Sequence, residues 1–154
     1  MRKLILICLL GIASLEAQAS TSCHPVGGTI LTNFVDSTTT IGSATGDLAG
    51  GIGVTVLSFV PNQDGTLTFN NQHRWVTQDG DVIYSDPAVA MGFPTAVSGF
   101  YAARYTKGIV ITGGTGRFKG ATGKLRGWGA VDTNKGEVIL RYEGSVCFAD
   151  EDQQ

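Results

Sequence analysis

The chain has 154 residues, with 11 Lys and Arg against 13 Asp and Glu, a formal net charge of −2, and 42% hydrophobic residues. That balance is no footprint for nucleic acid, and no basic cluster stands out along the chain. Twenty-two glycines, short apolar runs and few helix formers in register point to a single all-β domain rather than a helical or two-domain protein.

Residues 1–19 read as a secretory signal peptide. Arg2 and Lys3 form a positive start, residues 4–12 an apolar core too short to span a bilayer as a mature helix, and Ala17-Gln18-Ala19 a small-x-small cut site. Cleavage after Ala19 implies a secreted or periplasmic protein; an uncleaved anchor is the alternative. Cys8 lies inside the apolar core, so no lipid-attachment cysteine stands at the cut. No later stretch is apolar enough to span a membrane as a helix. The mature chain is then one domain, residues 20–154. Without Arg2, Lys3 and Glu16 it keeps 9 basic and 12 acidic residues, a charge of −3.

Two cysteines remain near its ends, Cys23 and Cys147. In an exported chain they are expected to pair, which requires the first and last strands to be neighbours. The rival reading, Cys23 and His24 as half of a metal site, has too few partners.

Residues 27–35 alternate as a first strand, 36–40 form a polar turn, and 43–53 are glycine-rich with a Gly46-Asp47 turn pair. In 54–60, Val54, Val56 and Val60 share one face and Leu57 and Phe59 the other. Two apolar faces mean burial on both sides, so the outer face is expected to meet another subunit or a terminal segment. After the turn at 61–65, residues 66–77 form a long strand. On it Leu67, Phe69, Asn71, His73 and Trp75 share one face. If that face lines an interior, Asn71 and His73 are polar groups in an apolar cavity, the usual form of a small-molecule site; a rim or a satisfied core histidine is the plainer reading.

Asp79-Gly80 is a hairpin turn. With Asp81 it lacks the further oxygen ligands and closing Glu of a calcium loop. Residues 82–85 carry Tyr84 on a short strand. Pro87 and Pro94 argue that 86–98 is irregular, with Met91 and Phe93 in either a lid or a packed connector, before a strand at 99–105.

Residues 107–132 hold the organising feature. A strand at 109–112 runs into Gly113-Gly114-Thr115-Gly116, a single turn at 117–121 follows, and Gly123 opens a strand at 124–132. Gly113, Gly114, Gly116, Gly120 and Gly123 make a tight corner, with Phe118 plugging one end of the core and Arg117 and Lys119 in water. A phosphate cradle is the rival, but Gly123-Lys124 is followed by Leu125 in a strand, and no helix follows. Trp128 sits between Gly127 and Gly129, which make room for its ring or pack beneath it. The last strand, 136–148, sets Val138, Leu140, Tyr142, Val146 and Phe148 on one face. Arg141 and Glu143 form a surface pair, or with Arg126 a catalytic cluster. Residues 150–154 are an acidic tail.

The run GGTGRFKGATG, residues 113–123, together with 44–50 and His73 to Asp81, resembles the allene oxide cyclase-like barrel superfamily, which includes dirigent proteins and a bacterial secreted branch. The resemblance implies a single closed antiparallel β-barrel of about eight strands, calycin-like, often dimeric or trimeric. No catalytic residue of the family maps onto a matching motif.

No GxSxG, HExxH or CxxC occurs, and two histidines are too few for a histidine-rich metal site, so neither metal nor cofactor is expected. Three functions stay open. One is a barrel that binds a small apolar ligand or acts as an interaction module. The second is a cofactorless isomerase or cyclase that orients a flexible substrate, with His73 as acid/base and Asn71, Tyr84 and Tyr142 as orienters. The third is a structural envelope protein. A pocket holding His73 beside a tyrosine raises the enzymatic reading; one lined only by apolar groups favours binding.

Overall fold

The structure, a computed structural model, describes residues 21–149; the leader with its cut after Ala19 and the 150–154 tail lie outside the described residues. Ten strands follow in order: β1 Thr21–Phe34, β2 Thr39–Ala44, β3 Gly50–Pro61, β4 Leu67–Thr77, β5 Val82–Ser85, β6 Ala88–Pro94, β7 Phe100–Tyr105, β8 Ile109–Gly114, β9 Thr122–Asp132 and β10 Glu137–Ala149. All pairings are antiparallel, and β10 pairs with both β9 and β1, which closes the ring. β5 and β6 both pair with β4, and β7 and β8 both pair with β9. Each of those two couples is one interrupted stave. The ten strands therefore make a closed barrel of eight staves running up and down, and closure leaves no open sheet edge.

Alternation along the strands decides what lies inside. Ile30, Ile52, Trp75, Ile83, Ile109, Ile111, Leu125, Leu140, Tyr142 and Val146 are buried together, each separated along its strand from outward neighbours. Cys23 and Cys147 face each other in the β1–β10 ladder and form a disulfide across 124 residues, so the two ends of the described chain are bonded where the barrel closes.

The glycine corner after β8 is a single 3-10 turn, Gly116–Phe118. Gly116 has a φ of +51°, and a Cβ there would strike the Asp81 carboxylate, so the position takes only glycine without rearrangement. Phe118 is fully buried and packs on Phe148 with ring centroids 5.5 Å apart, while Arg117 and Lys119 are exposed.

Three expectations change. Residues 39–44, divided between a polar turn and a glycine-rich stretch, form β2, whose neighbours β1 and β3 supply its ladder. Residues 86–98 are not wholly irregular, because Ala88–Pro94 is a strand: Pro87 lies in the break before it and Pro94 ends it, so neither proline removes an interior ladder bond. Met91 and Phe93 are therefore in the barrel wall and not on a lid. In β3 a bulge between Val56 and Ser58 flips the alternation. Phe59 thus falls opposite Phe69, with rings 5.2 Å apart, and Val60 leaves the face of Val54 and Val56. Among the described residues no helix is long and apolar enough to cross a membrane, and no group of His, Cys, Asp or Glu could hold a metal ion.

Candidate functional site

The barrel interior divides into a filled half and an open half. The filled half is packed by Phe118, Trp75, Tyr142, Leu125 and Val146. The 44–50 connection folds over that end. Trp75 Nε1 donates to the Leu48 carbonyl at 2.8 Å, and the Tyr142 hydroxyl accepts from the Leu48 amide at 3.0 Å and donates to the Thr45 carbonyl at 2.8 Å. The Trp75 and Tyr142 rings meet edge-on at 5.2 Å. Every polar atom of those two side chains is thus committed to sealing this end.

Toward the other end the lumen opens into a narrow pocket with about 50 Å³ open to the centres of water-sized molecules. Its walls are mainly apolar, with Ile52, Val54, Phe69 and Leu140 among them. Arg104, the one charged residue on the lining, turns its guanidinium outward over the Phe93 ring, 4.9 Å from the centroid. In this apolar setting stand Asn71, His73 and Tyr105, at 8%, 5% and 9% exposure.

Hydrogen-bond accounting sets their chemistry. Asn71 Nδ2 donates to the Tyr105 hydroxyl at 3.3 Å, and that hydroxyl lies 2.6 Å from His73 Nε2. A hydroxyl has one proton. The Tyr105 oxygen could accept a second bond from Nε2–H, but its own proton would then have no acceptor among the described residues; the tautomer that satisfies it has Tyr105 donating to Nε2 and the imidazole proton on Nδ1. His73 Nδ1 and Asn71 Oδ1 are buried and have no partner in the protein. The lining of the open half therefore contains one unpaired donor and one unpaired acceptor, each costing roughly 1–3 kcal/mol when left unmet. Burial pushes His73 down to about 4 and Tyr105 up to about 12, the latter against the lowering effect of the Asn71 bond. At neutral pH both are uncharged.

Asn71 and His73 come together because they are two residues apart on β4, on one face. Tyr105 joins them from the end of β7. Its ring rests where Gly127 of β9 has no side chain; a Cβ there would come within 2.7 Å of the ring. Gly127 thus makes room for Tyr105 on the inside, whereas Trp128 points outward and is 39% exposed. The other two tyrosines proposed from sequence are elsewhere. Tyr84 is on the outer surface of β5, 41% exposed beneath Arg74, and Tyr142 belongs to the sealed end. Arg126 and Glu143 are an exposed ion pair on the outside wall, away from the pocket. Tyr105 was the missed member. Its strand was expected, but nothing in a single strand's alternation says which residue it meets across the lumen.

Among solved structures the chain is similar to two pterocarpan synthase dirigent proteins. GePTS1 shares 15% identity over 92% of this chain and 100% of that chain, with a TM-score of 0.36. PsPTS1 shares 14% over 87% and 99%, with a TM-score of 0.32. No family model matches the chain, and neither does any curated protein. At identities and scores this low the likeness carries no conclusion about activity, and the closed eight-stave barrel stands on its own strand pairing.

Proposed function

We propose that the open half of the barrel binds a small, uncharged, mostly apolar molecule bearing a hydroxyl group. The observation that carries this is the unpaired couple, His73 Nδ1–H and Asn71 Oδ1, in a mainly apolar pocket whose other polar groups are Thr32, Thr40, Arg104 and the Tyr105 hydroxyl. A hydroxyl accepts from the first and donates to the second. A carboxylate would meet only one of them and would lose its hydration with no cation to compensate. The test is calorimetric titration with 1-naphthol and its anionic counterpart 1-naphthoate at neutral pH. Naphthol binding that disappears in His73→Phe, with naphthoate silent, supports the reading; equal binding of both, or of neither, removes it.

A second reading, a cofactorless isomerase that orients a flexible substrate, has one observation in its favour, the tyrosine hydroxyl 2.6 Å from His73. Values near 4 and 12 make His73 a weak base and Tyr105 a weak acid at neutral pH. Catalysis here would rest on orientation and not on proton transfer.

Export through the 1–19 leader is part of the same proposal and is supported by the Cys23–Cys147 disulfide, a bond of oxidising compartments. Self-association through the outside of β3, where Leu57 and Val60 are about half exposed, belongs to it too. Light scattering that returned a monomer at high concentration would remove that part.

A further inference from the structure

The outer wall of the barrel holds a basic groove. β8 pairs with β9 over Gly123–Leu125 and β7 over Trp128–Asp132. Between them, where Thr106, Lys107 and Gly108 break the stave, the wall is concave beside Arg126 and Gly127. The groove has about 920 Å³ open to the centres of water-sized molecules and is lined by Arg104, Lys107, Lys124, Arg126, Trp128 and Glu143 among others. Register adds one more cation: Trp128 is flanked directly by Arg104 on β7 and by Arg141 on β10. Of the nine Lys and Arg among the described residues, five stand on this one face. Only Glu143 opposes them in the groove, and it is paired to Arg126. Asp132 and Glu137 lie at the far end of the same wall, beyond Ala130 and Ile139. Among the described residues, Arg104, Lys107, Lys124 and Arg141 are in no salt bridge.

Such a concentration on a chain of net negative charge is costly through self-repulsion unless an anion offsets it. The layout says which kind. The cations do not converge on a point, as a single small oxyanion requires. Lys124 and Arg126 alternate along β9 and Trp128 follows at the same spacing, so the row from Lys124 to Trp128 runs ~13 Å, with Arg104 and Arg141 one strand away on either side of Trp128. That is a track for a polymer. Three of the five cations are arginines, whose planar fork matches a carboxylate with two parallel bonds. Trp128 offers a partly exposed flat ring between two of them, a surface on which another ring can lie. A single-stranded nucleic acid would also use cations and a stacking ring. The disulfide at the barrel seam favours an oxidising compartment, where an acidic glycan is the more available polyanion.

We propose that this groove is a second binding site, independent of the lumen, for an acidic polysaccharide. Its carboxylates pair with Arg104 and Arg141, and with Arg126 held in place by Glu143, while one sugar ring lies on Trp128. The test uses the full chain with its disulfide intact, and microscale thermophoresis against three probes: alginate oligomers, neutral dextran of matched length, and oligodeoxythymidylate. The proposal expects alginate to bind, with affinity falling at least tenfold between about 20 and about 200 mM NaCl. It expects dextran to be silent, and Arg126→Gln with Arg141→Gln, or Trp128→Ala alone, to weaken alginate at least tenfold. These positions are exposed, so the variants should keep the wild-type circular dichroism spectrum and the same 1-naphthol response. No alginate binding at low salt, binding indifferent to those substitutions, or tighter binding of oligodeoxythymidylate through the same residues would each overturn it.

Discussion

The buried imidazole makes stability depend on pH in a defined direction. His73 has a value of 6.5 when free of its surroundings and about 4 in the folded protein, because burial disfavours its charged form. Below pH 6.5 the unfolded chain takes up a proton that the folded chain refuses until near pH 4. Stability from this residue is therefore complete above 6.5 and is lost as pH falls to about 4. At 1.36 kcal/mol for each tenfold difference in proton affinity, the loss is about 3 kcal/mol, a large share of a small domain's total. The groups facing His73 are Asn71 and Tyr105. Neither carries charge in this range, so no ion pair forms to rescue the protonated ring. The assay is urea unfolding at a series of pH values between 7.5 and 4, for wild type and His73→Phe. Phenylalanine keeps much of the ring's bulk and cannot take the proton. Asp36 and Asp64, held below the usual carboxylate range by bonds from Thr38 and Thr66, are common to both proteins and cancel in the difference. The wild-type curve should fall away from the variant's by about 3 kcal/mol across that window. Parallel curves would refute a neutral buried His73 and the donor–acceptor arrangement built on it.

Three further outcomes follow from packing and closure. Reducing the Cys23–Cys147 bond, or replacing both cysteines by alanine, should cost roughly 2–5 kcal/mol in urea unfolding, since it frees a loop of 124 residues. Phe118→Ala should cost roughly 3–5 kcal/mol by the same assay, because a fully buried ring leaves a cavity at the sealed end. Gly127→Ala pushes a methyl against the Tyr105 ring and should cost about 1–3 kcal/mol. It should also weaken 1-naphthol binding, whereas Phe118→Ala, at the other end of the lumen, should leave the affinity of the folded protein close to wild type.

Much of the architecture was legible because it is local. Alternation in 66–77 places Asn71 and His73 on one face of β4, and glycines at 113–123 set a corner with positive φ at Gly113, Gly116 and Gly120. Two cysteines 124 residues apart implied the seam that the β1–β10 ladder contains. What escaped is what depends on neighbours. β2 is the short run Thr-Thr-Ile-Gly-Ser-Ala, held by the strands on both sides, and β6 is a strand bounded by Pro87 and Pro94. Tyr105 meets His73 from 32 residues away. The basic groove gathers Arg104 from β7, Lys107 from the break after it, Lys124, Arg126 and Trp128 from β9, and Arg141 and Glu143 from β10, so no short window of sequence contains it.

The most direct measurement is a crystal structure of the protein grown with 1-naphthol. The account predicts the naphthol oxygen within hydrogen-bonding distance, about 3 Å, of both His73 Nδ1 and Asn71 Oδ1, with the rings in the open half of the barrel. Naphthol found only on the outer wall, or inside the lumen with its oxygen turned toward the mouth, would contradict it.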